Sequence, residues 1–340
     1  MNALWLNKDK QHVVYLYYAR KRRLFNYMVV TLLGVNLKNL KAKAGQFLPA
    51  STWVRVGIQA LYCLKMVHDI GYIHRDIKPG NFVMGRKRDM LRCRLIHIVD
   101  FGLARSFAVQ YKGRGWVARR ARGSVEFRGT ARYCSPAVHE KFEQGRKDDI
   151  FSLMYMLIEM HCGLPWQKER TRESLELKKL SCPDHVLLNH FPNDIFSLMY
   201  MLIEMHCGLP WQKERTRESL ELKKLSCPDH VLLNHFPTEL HGIIFHIRSL
   251  NCYNRPDYSM IHNSFLQLMQ NLGVNYDDKY AWEDDDVYNK WIEQKPVKKY
   301  DYEDSAEFFK EDPVGINCAP SKNDVTYENY KRNKSVPSEL

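Results

Sequence analysis

Apolar and polar positions follow two rhythms along this chain, and together they lay out most of its elements. Val54, Ile58, Leu61 and Leu64 recur at three- and four-residue spacing, which puts them on one face of a helix. Ser51 or Thr52 is placed to cap its start and Gly71 to end it. Residues 12–18 and 26–32 read as two strands, the second running into Thr31-Leu32-Leu33-Gly34. Residues 95–99 (Leu-Ile-His-Ile-Val) are apolar and rich in β-branched side chains, which predicts a strand delivering Asp100 to a cleft. Residues 150–160 are apolar nearly all round, so the pattern predicts a central helix buried on every side and stopped at Gly163. That stretch is broken by Glu159 well short of the ~20 residues that cross a bilayer, and no membrane span is expected.

Composition narrows the class. With 340 residues, 45% of them hydrophobic, the chain can bury a sizeable core as one large domain or two small ones. Residues 2–11 are mostly polar and lack the pattern of a secretion signal. Nine cysteines form no disulfide framework, which fits free thiols in a reducing compartment and a cytoplasmic or nuclear location. Cys182-Pro183-Asp184-His185 has zinc-like spacing but no partner pair, so core and surface thiols account better for it. The net charge of +12 is partly local: eight basic residues (Arg105, Lys112, Arg114, Arg119, Arg120, Arg122, Arg128, Arg132) face Glu126 alone between positions 105 and 132. No recognised nucleic-acid-binding module accompanies them.

The chemistry is concentrated in His74-Arg75-Asp76-Ile77-Lys78-Pro79-Gly80-Asn81 and in Asp100-Phe101-Gly102, which begins 24 residues after Asp76. Phosphoryl transfer asks a protein mainly to position groups and neutralise charge. Asp76 suits the carboxylate that accepts the proton of the attacking hydroxyl. Asn81 and Asp100 suit the oxygen donors that hold Mg²⁺ against the phosphates. Lys78 can reach the transferring group, and a lysine there argues for serine or threonine rather than tyrosine as acceptor.

Several further segments carry a resemblance: Phe25-Asn26-Tyr27, Leu33-Gly34-Val35-Asn36-Leu37, Phe127-Arg128-Gly129-Thr130-Ala131-Arg132-Tyr133, Gly145-Arg146-Lys147-Asp148-Asp149, Leu164-Pro165-Trp166 and Pro256-Asp257-Tyr258. Over about residues 12–282 the chain resembles the casein kinase 1 superfamily, and within it most the tau-tubulin kinase branch. The resemblance implies an α+β, bilobal protein kinase-like fold with a mainly α-helical large lobe, ATP with Mg²⁺, and protein substrates phosphorylated on serine or threonine. It makes Thr31 to Gly34 the hinge, with Val30 as gatekeeper and Val30, Thr31 and Leu33 around the adenine. Thr130 becomes a contact between activation segment and catalytic loop, and Arg132 an anion-site candidate. Asp149 ties the central helix to the loop backbone, while His74 and Arg75 support it. The basic span becomes a groove wall favouring acidic or already phosphorylated peptides. Ser135-Pro136-Ala137-Val138-His139 departs from the family, which commonly keeps an asparagine before the alanine-histidine pair.

Residues 1–34 then form a truncated small lobe, residues 35–290 the large lobe, and residues 291–340 a charged tail expected to be disordered. Counterparts of the Gly-rich loop, the phosphate-binding lysine and its glutamate partner are missing from this reading. It therefore keeps as an alternative a catalytically impaired module that binds acidic or phosphorylated proteins. Residues 149–192 recur letter for letter as residues 194–237. One slot for the central helix means one copy must sit elsewhere, and the first follows the activation segment at the familiar distance. The acidic tail beyond about residue 276 could fold back on the basic activation segment. Oligomeric state is left open.

Overall fold

In the computed structural model, residues 11–45, 47–111, 115–161, 164, 238–296 and 299–321 are described. Leu16–Lys21 (β1) and Asn26–Val30 (β2) pair antiparallel as a hairpin whose side chains are mostly exposed. The first strand starts later than its pattern suggested. His12, at φ +67°, turns the chain, and Val13 makes a parallel bridge to Ile98. His12 and Val13 are thereby drawn into the large lobe's core, and the run from 12 to 18 is divided between the two parts. Gly34 N donates to the Met84 carbonyl at 2.8 Å and Met84 N to the Val35 carbonyl at 3.0 Å, which ties the crossing segment down.

Leu37–Ala44 (α1) is capped by Asn36, whose side chain accepts from Asn39 N at 2.9 Å. Ala50–His68 (α2) runs through the middle of the core. Neither Ser51 nor Thr52 caps it: Pro49 precedes the first turn with φ already set near −62°, and the Thr52 hydroxyl accepts from Ala281 N at 3.0 Å instead. Arg146–His161 (α4) packs against α2. It starts four residues before the apolar run, and residues 150–160 are all buried. The two helices approach closely at Gly57, where an added Cβ would lie 3.1 Å from both Leu157 and Phe265. Thr238–Ser249 (α5) and Tyr258–Asn271 (α6) complete the bundle. Of the repeat, residues 149–161 and 164 of the first copy are described. Its remainder, the second copy, Gly163 and the 182–185 cluster lie outside the described residues.

Short strands carry the loops of the cleft. Phe82–Met84 (β4) pairs with Ile96–Ile98 (β5), and Tyr72–Ile73 (β3) with Arg105–Ser106 (β6), all antiparallel. Within the basic span, Ala108–Tyr111 (β7) and Gly115–Ala118 (β8) form a hairpin that the sequence pattern did not announce. Pro136–His139 (α3) is a single turn after it. The whole is α+β: a small exposed hairpin on a mainly helical lobe.

Over its described residues, 291–296 and 299–321, the tail departs from the expected disorder. Asp285–Gln294 (α7) is helical, and residues 299–321 lie along the large lobe with Ala306–Lys310 (α8) packed on α6. Tyr300, Tyr302 and Phe309 are buried, Phe309 completely. Aromatic side chains made this possible, since they offer the area that a merely charged tail lacks. Of the tail expected to fold back, Ser321 does meet the basic span, its carbonyl accepting from Arg120 Nη2 at 2.8 Å, while acidic side chains of residues 277–286 pair elsewhere. Asp277 pairs with Lys295, Glu283 with Arg94 at 3.0 Å, and Asp284 with Lys43 at 3.0 Å. No described helix is long and apolar enough to cross a membrane.

Candidate active site

The loop between β3 and β4 is held from below by one carboxylate. Asp149, in the first turn of α4, accepts from His74 N at 2.7 Å, Arg75 N at 2.9 Å and His68 Nε2 at 3.0 Å. Burial alone would raise its pKa, but the His68 hydrogen bond and the neighbouring imidazoles hold the carboxyl below its usual value. Two backbone amides converging on one acceptor fix the turn in which Arg75 takes φ +69°. His74 is buried, which lowers its basicity and favours the neutral ring. Its Nε2 lies 3.0 Å from the Val99 carbonyl, which can only accept, so that nitrogen carries the proton and Nδ1 accepts from Asp76 N at 3.3 Å. Arg75 Nε donates to the Leu103 carbonyl at 2.6 Å, linking the loop to the segment after Asp100.

Both oxygens of the buried Asp76 carboxylate are engaged. Oδ2 accepts from Lys78 Nζ at 2.5 Å and from Asn81 Nδ2 at 3.2 Å, and Oδ1 accepts from the Thr130 hydroxyl at 2.6 Å. Lys78 Nζ also donates to Thr130 Oγ1 at 3.3 Å. Asp76, Lys78, Asn81 and Thr130 therefore form one network. A turn of 3₁₀ helix over Pro79–Asn81 carries Asn81 back toward Asp76, whose carbonyl also accepts from Nδ2 at 2.8 Å. Gly129 permits the approach of Thr130: its φ is +116°, and a Cβ there would lie 2.5 Å from the Arg75 carbonyl oxygen.

Asp100 stands in left-handed conformation at φ +65°, exposed, with Oδ1 accepting from Gly102 N at 3.3 Å. Val99 N donates to the Asn81 carbonyl at 3.0 Å, which brings the two metal-ligand candidates together at adjoining ends of β4 and β5. Because Asn81 turns its amide nitrogen toward Asp76, its amide oxygen faces away, while Asp100 offers a carboxylate to solvent. This donor set suits Mg²⁺, which takes one or two protein oxygens and otherwise keeps water and phosphate. Clusters of three or more His, Cys, Asp or Glu are absent among the described residues, and this ion needs none.

The hinge residues sit apart from this network. Val30 closes β2, Thr31 N donates to the Tyr15 carbonyl at 2.9 Å, and Leu33 is half-buried. The basic span is less open than its sequence suggested. Arg132 pairs with Glu159 at 3.0 Å, and Arg122 with Glu143 at 2.7 Å, with Arg105 3.7 Å from the same carboxylate. Against the upward push of burial, Arg122 holds Glu143 below the usual carboxylate range. Counting charges along residues 105–132 missed both glutamates, because they come from beyond the span. Lys112 and Arg114 lie outside the described residues. What remains is a polar hollow lined by Arg75, Gly102, Leu103, Arg105, Arg122, Glu126 and Arg128. Sequence reasoning also missed His68; its only local signal was a basic residue in the last turn of α2.

A catalytic-loop aspartate locked to a lysine, an asparagine and an activation-segment threonine, above a central-helix aspartate, agrees with the family comparison: residues 3–266 match the protein kinase domain. This chain belongs to the protein kinase family. Within that family it falls in the casein kinase 1 superfamily and is similar to the tau-tubulin kinase branch. It is 34% identical over 334 residues to a Caenorhabditis elegans protein named as an inactive tau-tubulin kinase, an alignment covering 96% of this chain and 98% of that one. A second protein of that organism, named among the serine/threonine-protein kinases, is 44% identical over 184 residues, 54% of this chain and 53% of its own length. A relative named as a casein kinase I is 36% identical over 177 residues, about half of each chain.

Proposed function

We propose that this protein kinase transfers the γ-phosphoryl group of ATP to serine or threonine hydroxyls of proteins, with Asp76 as catalytic base. The observation that carries the reading is the fixed Asp76 carboxylate, held by Lys78, Asn81 and Thr130 within 3.3 Å. A substrate hydroxyl would meet Oδ1 by displacing the Thr130 hydroxyl and pass its proton to the carboxylate. Lys78 would neutralise charge on the transferring group. Asn81 and Asp100 would hold Mg²⁺, which when bound offsets the negative charge of the phosphates. The arginine-lined hollow beside Arg75 supports a preference for acidic or already phosphorylated peptides.

A second reading, a catalytically impaired module that binds such peptides, is favoured by the nearly full-length likeness to a relative named inactive. One experiment separates them: phosphate incorporation from labelled ATP and Mg²⁺ into an acidic peptide and its phosphoserine-primed form, beside the binding of both peptides. The first reading expects incorporation that Asp76→Asn lowers by about a thousandfold or more. Peptide binding with no incorporation by the unaltered chain selects the second.

A further inference from the structure

A second concavity lies in the large lobe, outside the phosphoryl-transfer network. It has a volume of about 210 Å³ and opens between α1, β4 and α7, with Leu40, Met84, Cys93, Trp282, Val287 and Trp291 on its wall. Asp76, Asn81, Asp100 and Val83 take no part in it among the described residues. Neighbouring residues of a strand face opposite ways, so β4 turns Met84 toward this cavity and Val83 away from it. Gly34 and Val35, in the segment that links the hairpin to the large lobe, also line it.

The wall is apolar but the mouth is charged. Lys43 and Lys87, with side chains 51% and 62% exposed, both reach the carboxylate of Asp284, at 3.0 and 3.4 Å. Glu283, the other acid at the cavity, is already held by Arg94. Two ammonium groups thus share one exposed carboxylate, leaving a surplus positive charge at the entrance. Lys43 first, then Lys87, holds the Asp284 carboxyl below its usual range, as a cationic mouth should.

An apolar recess with two indoles and a cationic rim complements a small amphipathic anion. At about 30 Å³ per water-sized volume, the space suits a bicyclic ring. We propose that this cavity binds a small aromatic carboxylic acid, its ring system among Leu40, Trp282 and Trp291 and its carboxylate between Lys43 and Lys87. The proposal does not rest on phosphoryl transfer, and an inactive chain would bind equally well.

The test uses the full chain with 2-naphthoate as probe and 2-naphthamide as the uncharged control, by calorimetric titration. Binding of 2-naphthoate at one site is expected, at least tenfold weaker in Val287→Trp, which fills the recess. In the Lys43→Ala/Lys87→Ala double variant it should weaken by about tenfold, while the amide binds weakly and equally to both forms. A readout that needs no variant guards against misfolding: the Cys93 thiol lines the cavity, so saturating 2-naphthoate should slow its alkylation by N-ethylmaleimide severalfold. Unchanged Cys93 alkylation, or equal naphthoate binding by folded Val287→Trp, overturns the site. Equal affinity for acid and amide overturns the role given to the lysines.

Discussion

At the scale of single residues, the catalytic loop depends on Asp149 more than on any group of its own. Replacing it with alanine leaves two backbone amides and His68 without their acceptor in a buried place. Asp149→Ala should therefore lower stability by about 3 kcal/mol or more, read from the urea midpoint, and, on the proposed activity, abolish phosphate incorporation together with the loop turn. An unchanged midpoint would show that the amides find other partners. That Asp76, Lys78 and Asn81 come together was legible in the sequence because they lie within six positions of one another, so the motif carries its own geometry. Glu143 and Glu159 were not, because what matters about them is which arginine they meet after folding. The helix start at Ala50 was misread for a related reason: Thr52 is a good cap in isolation, but Ala281, more than two hundred positions away, takes its hydroxyl.

At the scale of elements, periodicity served best where one packing partner dominates. The run 150–160 is buried on every side in α4, and residues 54, 58, 61 and 64 lie inside α2. It served worst in short strands, whose pairing is set by loops, as in the β7–β8 hairpin. The tail was misjudged because its charge obscured its aromatic residues. Arg255 Nη2 donates to the carbonyls of Phe309 at 3.1 Å and Glu311 at 2.7 Å, and Phe309 stacks on His262 with ring centres 4.4 Å apart. Truncation after Gln294 strips Tyr300, Tyr302 and Phe309 from the core. At about 1.5 to 3 kcal/mol for each large buried side chain, it should cost several kcal/mol and lower the melting temperature visibly. A truncated chain melting with the intact one would mean that residues 299–321 contribute no stability.

At the scale of the whole molecule, buried neutral histidines make the fold sensitive to acid. Burial first, then His97, lowers His12 to about 3, and burial lowers His97 itself to about 4. Their ordinary value is near 6.5, so below that pH the unfolded chain takes up protons that the folded chain refuses. Stability is thus complete above about 6.5 and falls as pH drops toward 4, by about 1.4 kcal/mol per pH unit for each ring. Asp149, held low, adds a further loss below the ordinary carboxylate range. Thermal unfolding between pH 7 and pH 5 should show a falling midpoint, and His12→Gln should flatten the slope. A midpoint independent of pH across that window refutes the account.

His12 also joins the two ends of the described fold. Its ring lies 5.1 Å from that of Tyr62 and 5.4 Å from that of Tyr302, and Asp301 N donates to the Gln11 side chain at 3.3 Å. The first and last packed segments are therefore stitched at one seam, although almost the whole chain separates them. For the same reason, changes to the leading segment and to the tail are not independent inheritances: each sets the surface against which the other must fit.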